Sequence, residues 1–236
     1  MILLASAKTM KESNTDNCSI PVFNKESLII RQSISKLSKD ELASYFKISS
    51  KILDTTYNYY HKEYCGRVID SLDGQVFKQI TSTNIDYIKD NVYVLDALYG
   101  ILNGNDKISL FRLDFNTTSL LEQTYYKYWF DKVNNFIKQS KHKQVLILSS
   151  DEYTKLLDLN HLNKEIYTLT FDSSIKSSVH KKQIRGLIAN YCITNKIKDY
   201  KKLNNVNINE YKLSCKDNII NVKRLLSSLF YLLWLE

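Results

Sequence analysis

Val92-Tyr93-Val94-Leu95-Asp96-Ala97-Leu98-Tyr99-Gly100-Ile101-Leu102 is an apolar run, and Asn103-Gly104-Asn105-Asp106 closes it. The closing tetrapeptide is a strong turn signal. Gly100, directly after Tyr99, reads as a backbone requirement: a positive φ or a close approach that a side chain would block. A buried apolar segment that stops at a sharp turn sets the terms for the rest of the chain, which is short apolar segments separated by helical patterns.

Toward the N-terminus, residues 74–80 read as a strand after Gly74, and residues 25–62 are helical in pattern. Ser38-Lys39-Asp40-Glu41 fits a capping box, in which the serine accepts from the third helical amide and the glutamate reaches back. Leu42, Tyr45, Phe46, Ser49, Ile52 and Leu53 follow at helical spacing, and Lys47 and Lys51, four apart, share another face. Residues 10–24 are polar loop, Ser6-Ala7-Lys8-Thr9 is a turn, and residues 2–5 are a short buried strand. Toward the C-terminus, residues 119–138 are helical with Tyr126, Tyr128 and Trp129, which read as core. Val145–Leu148 and residues 165–171 read as strands, 180–194 as a helix, and 208–224 as two short strands. No 30-residue βαβ rhythm, internal repeat or linker is present. The expectation is an α+β protein: a single mixed α/β domain over residues 1–224, an irregular central sheet surrounded by helices, and an apolar extension over 225–236.

The chain has 236 residues, 44% of them hydrophobic, and a net charge of +8. The charge is segregated. Twelve basic residues between Lys176 and Arg224 face only Asp199, Glu210 and Asp217, a net +9 that leaves −1 for the remainder. That is the footprint of a phosphate-binding face, although it does not separate DNA from RNA or a small polyanion. Five glycines, with no GxxxxGK[ST] and no GxGxxG, argue against a P-loop or Rossmann site. His61, His142, His161 and His180 are scattered without zinc spacing, so no metal and no cofactor is expected. Cys18, Cys65, Cys192 and Cys215 form no CxxC and read as reduced cytoplasmic thiols, with redox sensing at Cys65 or Cys215 as the minority alternative. Lys8 interrupts the apolar start too early for a secretory segment, and Leu225–Leu235 is too short for a bilayer.

Several blocks carry a resemblance. Ile2-Leu3-Leu4-Ala5-Ser6-Ala7-Lys8-Thr9-Met10 is similar to an opening strand followed by S-P-A-K-T-L. Leu37-Ser38, Glu41-Leu42 and Lys47-Ile48-Ser49 are similar to L-S-x-x-E-L and K-I-S. Leu98-Tyr99-Gly100-Ile101-Leu102 through Phe111-Arg112-Leu113-Asp114 is similar to L-Y-G-L-L-R-P-L-D-x-I-x-P-Y-R-L-E. Ser150-Asp151-Glu152-Tyr153 and Lys155 match S-N-E-Y-x-K, and Lys182, Arg185-Gly186-Leu187 and Tyr191 match K-K-A-R-G-L-M-x-R-Y. In order and spacing the set resembles the YaaA peroxide-stress family over residues 1–224. The pattern is broken at Asn103, Gly104, Leu110, Gln183 and Asn190, three of which remove a cation.

The resemblance implies a mixed α/β fold, peroxide resistance with limited iron-dependent damage, and DNA binding through a helix-hairpin-helix-like element and a positively charged cleft. On this reading the DNA or anion contacts are Lys8, Lys47, Lys51, Arg112, Lys182 and Arg185. Arg112 points into the cleft or pairs with Asp106 or Asp114. Ser6, Tyr99, Gly100, Glu152, Tyr153 and Gly186 are motif positions that shape the site. The partner is DNA, duplex or distorted and bound without sequence preference, in the cytoplasm and away from membrane. The alternative is an enzyme acting on a nucleotide or nucleobase-containing small molecule, with Lys8, Tyr99, Arg112, Glu152 and Lys182 gathered from distant segments and Glu152 as base.

Overall fold

In chain order the elements are β1 (Ile2–Ala5), α1 (Asn24–Ser35), α2 (Lys39–Phe46), α3 (Ser50–His61), β2 (Cys65–Arg67), α4 (Val68–Ser71), α5 (Ile85–Asn91), β3 (Val92–Asp96), β4 (Gly100–Asn103), β5 (Lys107–Ser109), α6 (Tyr125–Gln139), β6 (Gln144–Ile147), α7 (Asp151–Thr154), β7 (Glu165–Phe171), α8 (Ser178–Thr194), β8 (Asn207–Ile208), β9 (Tyr211–Lys216) and β10 (Ile219–Arg224), with 3₁₀ turns at Phe77–Gln79 and Tyr200–Leu203. This computed structural model describes residues 1–14 and 16–225, so all but the first residue of the expected C-terminal extension lies outside the described residues.

The strands form one eight-stranded mixed sheet in the order β4-β3-β1-β6-β7-β10-β9-β8, with β2 and β5 pairing separately. The central five, β3, β1, β6, β7 and β10, run parallel. Ile2, Leu3 and Leu4 are completely buried, as an unbroken apolar strand covered on both faces requires. Among the described residues no helix is long and apolar enough to cross a membrane.

The opening sequence block folds as a hairpin. β3 and β4 pair antiparallel from Tyr93↔Asn103 to Asp96↔Gly100. Gly100 meets both demands at once: its φ is +72°, and a Cβ there would lie 2.5 Å from the ring of Trp129. Trp129 is fully buried and donates its indole N–H to Ala97 O at 2.9 Å, so it belongs to the core, as its helical position suggests.

Two local expectations are corrected. The pattern over residues 38–53 is two helices, not one. The capping box at Ser38 forms as the sequence indicates. The helix then stops because Lys47 takes the left-handed conformation (φ 50°, ψ 49°) and Ile48 N–H returns to Ala43 O, a Schellman-type ending made without glycine. Lys47 and Lys51 therefore share no helix face; one ends α2 and the other lies in the first turn of α3. Residues 74–80 are no strand. Val76 and Phe77 are both buried, which alternation on a half-exposed strand forbids but a turn packed on α8 permits. Residues 208–224 hold the expected hairpin, extended by the two-residue β8.

Candidate functional site

The chain leaving β1 crosses toward β3, and the chain leaving β6 crosses toward β7 on the other side. Connections that diverge from neighbouring parallel strands open a crevice at their carboxyl ends, where ligands bind in open α/β sheets. A cavity of about 390 Å³ sits at this place. Its floor and walls come from Ala5–Thr9 after β1, from Leu148, Ser150, Glu152 and Tyr153 after β6, from Asp73–Lys78, and from Lys182 and Arg185 of α8.

Ser177 caps α8 by accepting from the His180 amide at 3.4 Å. Lys182 and Arg185 are three apart and so occupy one side of the helix. Lys182 is exposed and Arg185 half-buried, with its guanidinium 5.2 Å from the centre of the Phe171 ring. Burial pulls the Arg185 pKa down, and the nearby Asp151 opposes this. Among the described residues no carboxylate lies within 4.0 Å of either cation. Lys8 is different: its ammonium lies 2.6 Å from Asp114. Glu152 accepts from the Asn116 amide at 2.8 Å, and its carbonyl accepts from the Tyr126 hydroxyl at 2.7 Å, which fixes the segment after β6. Tyr153 is buried beside Phe115, and burial raises its phenol far above the usual range.

α8 meets the Asp73–Lys78 wall closely because residue 186 is glycine: a Cβ there would lie 2.1 Å from Val76 O. Two departures from the family pattern serve this contact. Gln183 donates to the Gln75 side chain at 3.2 Å, and Asn190 accepts from the Thr81 and Ser82 amides at 3.0 and 2.9 Å. The other departures are structural as well. Asn103 donates to Lys89 O, Gly104 would collide with Ile88 if it carried a side chain, and Leu110 is buried.

Six of the residues picked from the sequence thus line one cavity: Ser6, Lys8, Glu152, Tyr153, Lys182 and Arg185. Gly186 supports it from behind, and Gly100 belongs to the hairpin. Tyr99 does not line the cavity; its hydroxyl accepts from the Ser109 amide at 3.1 Å. Arg112 is also outside the cavity lining, and neither expected partner is available to it. Asp114 holds Lys8, and buried Asp106 accepts from the Ser19 hydroxyl and the Asn103 amide, both at 2.7 Å. What fixes this segment is the Arg112 backbone, whose carbonyl accepts from and whose amide donates to the Tyr60 hydroxyl. Lys47 and Lys51 are exposed at the α2–α3 connection and line no part of the cavity. The four cysteines are unpaired; burial raises the Cys215 thiol, the opposite of what a reactive thiolate needs.

Sequence reasoning missed Asp96, which ends β3 beneath the Ser6 turn. Its carboxyl is fully buried, and burial pushes its pKa up to about 6 against the pull of the nearby Ser6 hydroxyl and the Tyr99 and Leu98 amides. A lone carboxylate inside the apolar run from Val92 to Leu102 was the available signal.

Comparison with known proteins bears on this arrangement. A UPF0246 protein of Crocosphaera subtropica is 29% identical over 229 residues, covering 88% of this chain and 92% of its own. A UPF0246 protein of Fusobacterium nucleatum is 27% identical, with 90% and 93% covered, and one of Francisella philomiragia is 24% identical, with 82% and 85% covered. The family model described as "Peroxide stress protein YaaA" matches residues 1–217, a span that holds every residue lining the cavity, and the chain belongs to that family.

Proposed function

We propose that this protein acts in peroxide-stress resistance by holding DNA through its phosphates, without reading sequence, along the basic rim formed by Lys8, Lys182 and Arg185. Iron-dependent oxidation of the covered DNA is thereby limited. The observation that carries the reading is the pair Lys182 and Arg185: two cations on one side of α8, facing an open crevice with no carboxylate within 4.0 Å among the described residues. Cations kept unneutralised at a crevice attract phosphate, and backbone contacts of this kind position a protein on DNA without specifying bases. Lys47 and Lys51, exposed at the short connection between α2 and α3, supply further phosphate contacts from a helix-hairpin-helix-like element.

The test is fluorescence anisotropy with duplex and with mismatched or branched DNA across a salt series, comparing the protein with a Lys182→Ala/Arg185→Ala variant. Each neutralised phosphate contributes about −0.9 to the slope of log K against log salt, so the variant's slope is expected to be shallower by about 2. Affinity indifferent to salt, or a variant that matches the parent, overturns the reading.

A further inference from the structure

We infer that the cavity between the carboxyl ends of β1 and β6 is a discrete site for a small phosphorylated ligand of nucleoside-monophosphate size. Lys182 and Arg185 hold its phosphate, and the apolar wall holds its ring. The inference uses cations of the same rim but goes beyond DNA binding, because a duplex cannot enter a recess of this size.

Charge points to the phosphate. The lining cations are Lys8, Lys78, Lys182 and Arg185, and the lining carboxylates are Asp73 and Glu152. Lys78 lies 3.7 Å from Asp73 and Lys8 lies 2.6 Å from Asp114, so both are already engaged. Lys182 and Arg185 remain, two charges that complement the roughly −1.5 to −2 of a phosphate monoester near neutrality. The guanidinium offers the fixed donor fork that suits phosphate oxygens.

Unmet hydrogen bonding points the same way. Arg185 lines the cavity, and its Nε is buried without a hydrogen-bond partner among the described residues. Native proteins leave few such atoms unpaired, and the exceptions call for an explanation. A phosphate or sugar hydroxyl in the cavity supplies it.

Size and lining extend the ligand beyond bare phosphate. About 390 Å³ lies within the usual range for small-molecule sites, roughly 300–1,000 Å³, and a lone anion would leave most of it empty. The lining also includes Val76, Phe77, Leu148 and Tyr153, two of them aromatic. Flat rings pack well on such surfaces.

Isothermal titration calorimetry on the full chain, near physiological salt, tests this with AMP and dTMP as ligands and with adenosine, thymidine and inorganic phosphate as their halves. One-site binding of a nucleotide is expected, with each half at least about tenfold weaker. Arg185→Gln and Lys182→Ala are each expected to weaken the nucleotide by at least about tenfold. Lys212→Gln, outside the cavity, leaves it unchanged. Should Arg185→Gln fail to fold, exposed Lys182 carries the test alone. Three results overturn the inference: no saturable binding up to about 1 mM nucleotide, binding that survives loss of the cations, or phosphate alone binding as tightly as nucleotide. DNA binding measured in parallel separates the two readings. DNA retained without nucleotide binding sinks this inference alone, and nucleotide binding without DNA binding sinks the other.

Discussion

Asp96 shows how a single side chain is set by its surroundings. Its Oδ1 accepts from the Leu98 and Tyr99 amides at 2.8 and 2.9 Å and so shapes the turn between β3 and β4, while the Ser6 hydroxyl lies near the carboxyl. Complete burial raises its pKa from 3.8 to about 6. The folded chain therefore holds this proton more tightly than the unfolded chain does. Stability from this group is fully present below pH 4 and is lost as pH rises through 6, by roughly 3 kcal/mol in all. Asp96→Asn keeps an oxygen for the two amides and carries no charge at any pH. Urea unfolding between pH 4 and pH 7 is expected to show the parent losing stability relative to this variant by about that amount. Parallel curves would mean that Asp96 does not titrate in this window. A carboxylate amid Val94, Leu95 and Leu98 was visible in the sequence as an anomaly, but only the packed hairpin tells which groups meet it: the Leu98 and Tyr99 amides and the Ser6 hydroxyl. Gly100 was legible because turn signals are local. Arg112 was not, since the direction of a side chain on an irregular segment depends on distant groups such as Tyr60.

Elements whose signals are local were read well: the capped start of α2, the apolar sides of α6 and α8, and the strands β1, β6, β7, β9 and β10. Those that end or turn through remote contacts were not. Lys47 stops α2 in a conformation usually given to glycine, so composition gave no warning. The Asp73–Lys78 wall is held by α8, more than 100 residues away, through the Gln183–Gln75 bond and the bare backbone at Gly186. Gly186→Ala puts a methyl into Val76 O, a backbone atom that cannot swing aside. The expected cost is about 1–3 kcal/mol, as for other overpacked sites, read as a lowered midpoint in chemical unfolding. Because the wall must retreat, ligand or DNA binding at the cavity is expected to weaken even at temperatures where the variant remains folded. A variant that unfolds like the parent would show that the contact between α8 and this wall is looser than drawn.

At the scale of the molecule, composition and spacing alone could not bring Lys8, Glu152 and Lys182 to one cavity, because the order of strands in a sheet is a long-range property; only the ordered motifs of the family resemblance gathered them. Charge segregation was legible, but its division between surfaces was not. Lys182 and Arg185 face the cavity, whereas Lys212, Lys216 and Lys223 are exposed on β9 and β10, whose alternate residues Leu213, Ile220 and Val222 are buried. Lys212 stands directly opposite Lys223 in the antiparallel register, an arrangement that destabilises a sheet. These lysines therefore add to the positive field at some cost in stability, and none of them lines the cavity. Replacing all three by glutamine separates field from contact. Stability is expected to rise slightly. DNA association is expected to slow at low salt as long-range attraction weakens. The slope of log K against log salt should change by less than about 1, compared with about 2 for loss of Lys182 and Arg185. A drop of about 3 in the triple variant, with no change in the cavity variant, would move the DNA from the crevice to the open sheet.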